Sequence, residues 1–436
     1  MEFRSWSVGM AKKAPLQDLQ RGALNESLRV GFQFKFGRVV LFGVFIALLA
    51  GRFTLDRLSS QLPSLDLRWF LLAALLMIGS IWYAGSFQVL PKRPVVAGIG
   101  IFGAWAGWLA LSSFWAPSGA RLFDNLESLM FLVAFVALGA TLLGWLPVAV
   151  NESLWNWWYI TGIVYFVGAV LAGPDDQGRF SAFGGGPNVF VRIMIIAAIA
   201  ALSLAISKKR SWPLLAVPAF AVGAALSGSR GGLLAAGVLL IVALVPIARR
   251  LGALKTIGIA VLLGFGFAIV QQITAGALGR FVNERFIMQT LIEGYVSSRD
   301  VLLEQSWQLY AEDWLIGVGL DGYFALQDGT AFSYAHNLVM ATAAESGTVG
   351  LILLIAAIVG LVVAARKYRP LPTTVLLAMC AGAFLLITSL FSGDYYDSRL
   401  MWFFLAWAAI DASKIHSEPG VGFDSPGEVV SKRPND

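Results

Sequence analysis

His336 is the only histidine of the chain outside its C-terminal tail, and it stands in Tyr334-Ala335-His336-Asn337, where a long polar segment re-enters apolar sequence. A lone histidine more often serves packing, but this position favours chemistry. A neutral imidazole with a pKa near about 6.5 accepts a proton from an attacking hydroxyl at neutral pH. Arginines supply the complementary chemistry. Arg230 lies in Ser227-Gly228-Ser229-Arg230-Gly231-Gly232, and Arg299 follows Ser297-Ser298. A guanidinium offers a planar fork that holds phosphate at two points and stays charged when partly buried.

Those residues need a scaffold, and the composition says which kind. The 436 residues are 58% hydrophobic and 13% charged, with a mean hydropathy of +0.73. Soluble domains are about 25% charged, so lipid is the solvent of this chain. Runs long enough to cross a bilayer, about 20 residues, occur near 37–51, 69–86, 95–113, 127–147, 157–172, 188–207, 212–227, 231–248, 256–273, 337–365, 372–391 and 398–413. The expected fold is an all-α polytopic membrane protein of about 12 transmembrane helices. Residues 1–36 form a cytoplasmic N-terminal segment without the pattern of a cleaved signal peptide. Residues 37–273 hold helices 1–9, 274–336 a large outer loop, 337–413 helices 10–12, and 414–436 a cytoplasmic tail. The run from 337 is too long for one simple crossing, so its first turns are expected to lie at the outer interface or the run to break near Gly347 and Gly350.

Orientation follows from the basic loops. With the N-terminus inside, every lysine falls on the cytoplasmic side, including Lys92, Lys208, Lys209, Lys255, Lys367 and Lys414. The outer loops carry arginine alone: Arg52, Arg57, Arg68, Arg121, Arg179, Arg230, Arg280, Arg285, Arg299 and Arg399. Both termini are then cytoplasmic. Within the large loop, a helix is expected from Ser297-Ser298-Arg299-Asp300, with Leu303, Trp307 and Tyr310 as its apolar stripe.

Other chemistries fit less well. The Gly317-Val318-Gly319-Leu320-Asp321-Gly322 spacing matches a dinucleotide fingerprint, but no βαβ unit surrounds it. It reads instead as a turn that brings backbone close to the membrane or a sugar. A P-loop is absent, so energy must arrive with the substrate. Cys380 stands alone, which excludes a disulfide framework. Asp175-Asp176, Glu312-Asp313, Asp394 and Asp397 are the outer carboxylates available to a divalent ion; loop acids are more often solvated or capping, and no metal or other cofactor is expected. The imidazole, taking a proton, and the arginines, holding the charge that develops on a departing diphosphate, together describe transfer of a glycan from a lipid diphosphate to an alcohol.

Several segments together resemble the O-antigen ligase and O-antigen polymerase superfamily of bacterial envelopes. They are Gly178-Arg179-Phe180 with Gly186-Pro187-Asn188, Ser229-Arg230-Gly231-Gly232, Arg299 followed by Trp307, Trp314 and Gly317-Val318-Gly319 followed by Tyr334-Ala335-His336-Asn337, and Glu345-Ser346-Gly347 with Gly350. The likeness runs in layout from about 90 to 410, and its distinctive part is 299–350. It implies a GT-C-like helical bundle with a large periplasmic loop in the inner membrane. It also implies an undecaprenyl-diphosphate-linked glycan as donor, with lipid A core or a growing polysaccharide as acceptor. The histidine at His336 would be catalytic, and Arg230 and Arg299 would bind the donor diphosphate. Arg399 and Arg179 are further candidates for that task, and Asn337 or Tyr334 would orient His336 or a sugar. Partners besides donor and acceptor are membrane lipids, with no nucleic acid. Ligase and repeat-unit polymerase share this donor chemistry. A lipid-linked sugar transporter is the rival from another class; it would place ionisable residues deep in its spans, where Arg192 and Glu345 are the few found. A structural envelope subunit, docking through its arginine- and aromatic-rich outer loop, is the third reading.

Overall fold

In lipid a backbone must satisfy its own N–H and C=O groups, and long apolar runs do so as helices. The computed structural model describes residues 41–51, 66–84, 92–145, 148–207, 211–252, 257–258, 261, 298–327, 334–367 and 371–415. Among these no strand forms, and Pro174 and Phe180 make one isolated antiparallel bridge. The helices are α1 (Leu41–Ala50), α2 (Leu67–Ala84), α3 (Arg93–Leu111), α4 (Leu122–Trp145), α5 (Val148–Asn151), α6 (Leu154–Ala172), α7 (Gly186–Ser207), α8 (Val217–Leu226) and α9 (Arg230–Leu251). After them come α10 (Ser298–Glu312), α11 (Gly322–Leu326), α12 (Leu338–Arg366), α13 (Thr373–Ser389) and α14 (Arg399–Ile415). Among the described residues five helical stretches are long and apolar enough to cross a membrane: Arg93–Trp115, Leu122–Trp145, Leu154–Ala172, Gly186–Ser207 and Leu338–Arg366. Shorter apolar helices accompany them. The chain is thus an all-helical polytopic membrane protein. Each expected span except 256–273 coincides with a helix. That span lies outside the described residues apart from 257–258 and 261, as do residues 1–36, most of the tail, and Arg52, Arg57, Arg280 and Arg285.

α14 is the axis of the bundle, buried at every residue from Arg399 to Lys414. Lipid would accept an apolar helix as readily as protein does, so its enclosure comes from packing: its aromatic side chains reach in several directions. Trp402 lies 4.7 Å from Phe102 of α3, Trp407 4.7 Å from Trp155 of α6, and Phe403 5.6 Å from Phe45 of α1 (ring centroids). Small residues allow close helix contact where lipid offers no hydrophobic drive; a Cβ at Gly162 of α6 would lie 2.1 Å from that of Ala197 in α7. At one end of the bundle a polar cluster fastens α14 to the α4–α5 region. Trp407 donates to Asp411 at 2.7 Å, the Asn151 amide donates to Asp411, and Lys414 to the Leu143 carbonyl.

At the opposite end α12 breaks where the sequence expects it. Gly347 adopts φ 64°, ψ −165° inside the helix, while Gly350 remains helical. In an unbroken helix the N–H groups of Thr348 and Val349 would bond the carbonyls of Ala344 and Glu345. Here the glycine-rich segment inserts its own backbone. Thr348 donates to the Trp314 carbonyl at 2.8 Å and Val349 to Leu315 at 3.3 Å, while Val318 donates to Ala344 and Gly319 to Glu345, both at 2.9 Å. All four groups freed by the break are thereby satisfied, avoiding about 1–3 kcal/mol for each one left bare. The approach demands glycine on both sides. A Cβ on Gly317 would lie 2.5 Å from backbone of Glu345 and Ser346, and one on Gly347 2.4 Å from backbone of Leu315. The expectation that this turn meets the membrane or a sugar is corrected: its backbone meets α12.

The surface helix α10 forms, with its stripe shifted by one residue. Leu302, Ser306 and Leu309 are the buried positions, and Trp307 is 56% exposed. The turn after α10 bonds to α12, and Tyr310 bonds Thr348 hydroxyl to hydroxyl at 2.8 Å. That anchorage decides which face is covered.

Candidate functional site

The broken end of α12 gathers the loops that carry the sequence candidates. Asn337 is the N-cap of α12: its side-chain oxygen accepts from the amides of Val339 and Met340 at 3.0 and 3.1 Å, the usual task of asparagine at this position. That cap fixes the chain just after His336, which adopts a left-handed φ of 53°. The Tyr334 ring lies 4.0 Å from the imidazole, tilted by 37°. Tyr334 thus flanks His336, while the Asn337 oxygen holds the helix.

Tyr334 and Ala335 line a cavity of about 320 Å³. Its other walls come from the start of α4 (Arg121, Asp124, Asn125, Ser128), the loop residue Asp321, Ala341 and Glu345 of α12, and the turn before α14 (Asp394, Tyr395, Asp397). The sequence marks Arg121, Asp321, Glu345, Asp394 and Asp397 one by one but not Asp124, Asn125, Ser128 or Ala341, and their meeting is hidden because they are far apart in the chain. Arg121 grips Asp321 with a bidentate pair, Nε to Oδ2 at 3.0 Å and Nη2 to Oδ1 at 2.8 Å, and its own backbone N–H donates to Oδ2 at 2.7 Å. Its guanidinium rests 3.6 Å from the Phe324 ring centroid. The hydrogen bond to Asp321 raises the Arg121 pKa further, so the group stays charged. Tyr395 donates to Glu345 at 2.9 Å. Burial, then the neighbouring Glu345 charge, holds the Tyr395 phenol well above its ordinary pKa.

The arginines divide by environment. Arg230 opens α9 and is half-buried. Its two following glycines are dictated by packing: a Cβ on Gly231 would lie 2.5 Å from Cβ of Phe391, and one on Gly232 2.4 Å from Val191 of α7. Arg179 donates from Nε to the Ser227 carbonyl at 3.0 Å, while the Phe180 amide donates to Leu226. It therefore ties the α6–α7 loop to the turn that carries Arg230. Arg299 is the second residue of α10. Arg399 is only 2% exposed. It donates to the Leu49 carbonyl at 2.9 Å and to Tyr396 at 3.3 Å, and lies 3.4 Å from Asp397. With Arg68 it brackets the Tyr396 ring, at 4.2 and 4.9 Å from the centroid. Buried charge of this kind persists only with partners, and Arg399 has them within the fold.

Three of the acidic candidates, Asp175, Asp394 and Asp397, have local tasks. Asp175 accepts from the amides of Gln177 and Arg179, and Asp394 from that of Asp397. Asp397 pairs with Arg192 at 3.8 Å as well as with Arg399. Among the described residues no three His, Cys, Asp or Glu side chains are grouped to hold a metal ion.

Residues 214–355 match the O-antigen ligase family. The match spans Arg230, Arg299, Tyr334, His336, Asn337 and the Gly347 break, and it leaves Arg179 and Arg399 outside. No curated protein matches the chain. Resemblance to the O-antigen ligase superfamily and an all-helical membrane architecture thus coincide in one chain. The match supports a glycan transferase of ligase or polymerase type, working at a membrane on lipid-linked glycan and polysaccharide.

Proposed function

We propose that the protein transfers a glycan from undecaprenyl diphosphate to a hydroxyl of lipid A core, on the periplasmic face of the bacterial inner membrane, without metal or ATP. The observation that supports this reading is that Tyr334 and Ala335, directly before His336, line a polar cavity of about 320 Å³, while His336, Arg230 and Arg299 all lie in the segment that matches the O-antigen ligase family. The acceptor oxygen attacks the anomeric carbon as the bond from that carbon to the diphosphate oxygen breaks. The hydroxyl proton passes to the His336 imidazole, and the electron pair leaves with the diphosphate. Arg230 and Arg299 hold the growing charge. Tyr334 keeps the imidazole oriented, and Asn337 sets its backbone through the α12 cap. Arg179 acts by holding the Arg230 turn, and Arg399 by supporting Asp397 at the cavity wall. One in-line displacement predicts inversion at the anomeric carbon.

The test is reconstitution of the full chain in lipid with an undecaprenyl-diphosphate glycan and either lipid A core or a free polysaccharide end as acceptor. Turnover onto the core marks a ligase, and chain extension marks a polymerase. His336→Ala is expected to fold normally and lose turnover by about 10²–10⁴-fold. Near-wild-type turnover in that variant would refute the proton-transfer role, and unchanged donor binding in Arg230→Ala would refute the diphosphate role.

A further inference from the structure

Asn188 lies one helical turn before Arg192 on α7, and both side chains reach the turn between α13 and α14. The Asn188 amide nitrogen donates to the Ser392 hydroxyl at 2.7 Å, and its oxygen accepts from the Ser229 hydroxyl at 2.8 Å. Arg192 donates to the Ser392 carbonyl and lies 3.8 Å from Asp397. Ser229 immediately precedes Arg230, and Ser392 precedes the cavity-lining Asp394, Tyr395 and Asp397. One carboxamide therefore spans two turns, each beside a different half of the proposed site. The packing around it leaves little slack: Gly231 presses on Phe391, the residue before Ser392, and a Cβ at Gly393 would lie 2.9 Å from that of Asp397.

We infer that Asn188 is a positioning residue of the transfer site, whose carboxamide holds the Arg230 turn in register with the cavity wall at residues 394–397. The inference rests on the reading of Arg230 as a donor-diphosphate ligand. Asn188 touches neither substrate in this account; it acts through Ser229 on Arg230 and through Ser392 on the wall. Donor phosphate and acceptor cavity must keep a fixed separation for in-line attack, and misplacement of reacting groups by about 1 Å costs up to about 100-fold in rate. A change in how Arg230 is presented is therefore expected to appear in donor binding before it appears in stability.

The full-length protein in nanodiscs, with undecaprenyl diphosphate as the binding probe, tests this. Asn188→Ala, Ser229→Ala and Ser392→Ala are each expected to raise the probe's Kd about tenfold with an unchanged unfolding temperature. Arg230→Ala is expected to raise it further, and adding Asn188→Ala to Arg230→Ala should change nothing more, because the amide works through that arginine. If Asn188→Ala is poorly folded, the two serine variants carry the same comparison with a smaller perturbation. Wild-type Kd in the Asn188 and serine variants, alongside weakened binding in Arg230→Ala, overturns the positioning role alone. Additive losses in the double variant also overturn it, since a general packing defect behaves that way. Wild-type binding in Arg230→Ala overturns both this inference and the donor reading beneath it.

Discussion

Tyr395 donates its hydroxyl to Glu345 across 2.9 Å, joining the turn before α14 to α12 just short of its break. Both residues line the cavity, so the bond spans its wall and couples two elements fifty residues apart. Tyr395→Phe leaves a carboxylate side chain in a residue only 5% exposed without that donor, and is expected to cost about 1–3 kcal/mol. Glu345→Gln keeps an oxygen for the phenol and should cost less. Thermal unfolding in detergent ranks the two, and the reverse order would mean that the bond does not govern this wall.

Alkaline pH should reach Tyr395 in this wall and Tyr323 of α11. Burial raises the Tyr323 phenol to about 12, and burial with the Glu345 charge holds Tyr395 well above its ordinary value. For both, the folded protein favours the neutral form more than the unfolded chain does. Their contribution is therefore fully present below about pH 10, the unfolded value, and is lost as pH rises through the folded values. Unfolding temperature should fall above about pH 10, and the fall should shrink in a Tyr323→Phe, Tyr395→Phe double variant. An identical alkaline slope in that variant would assign the loss elsewhere.

The break in α12 predicts an asymmetric response to alanine. At Gly347 a side chain meets both a left-handed φ of 64° and Leu315 backbone 2.4 Å away. Gly347→Ala is expected to destabilise by more than about 2 kcal/mol or to prevent folding. Gly103 in α3 has nothing within 4 Å of an added Cβ, and Gly103→Ala should be neutral or stabilising by about 0.5–1 kcal/mol. Expression yield and unfolding temperature of the pair check the contrast.

Metal removal should leave turnover intact. Asp175 and Asp394 cap turns and Asp397 pairs with arginine, and the proposed mechanism stabilises the leaving diphosphate with guanidinium groups alone. Activity in EDTA is expected to equal activity in magnesium. A loss restored by adding a divalent ion would require a different account of the leaving group.

Much of this molecule is written in its hydrophobic pattern. Apolar run lengths predict where α1–α4, α6–α9 and α12–α14 stand, and the excess length after residue 337, with Gly347, marks the break as one of two outcomes. His336 and Arg230 are marked by rarity and by position at span ends. These features are local: a helix requires only a suitable run, and a break only a glycine where no side chain fits.

Contacts between distant segments follow from tertiary structure alone. In a membrane bundle, residues facing lipid and residues facing protein are equally apolar, so no pattern reveals that α14 is enclosed or that Arg399 spends its guanidinium on Leu49, Tyr396 and Asp397. The stripe of α10 shifted by one residue because anchorage of the following turn on α12, rather than side-chain polarity, chose the covered face. The glycine-rich turn satisfies α12 carbonyls, a pairing that a spacing of three glycines does not encode. Asn188, Arg121 and Asp321 acquire their tasks only when loops from far along the chain meet. Local energetics thus decide which segments are helices, while the need to satisfy every buried polar group decides how their ends assemble the site.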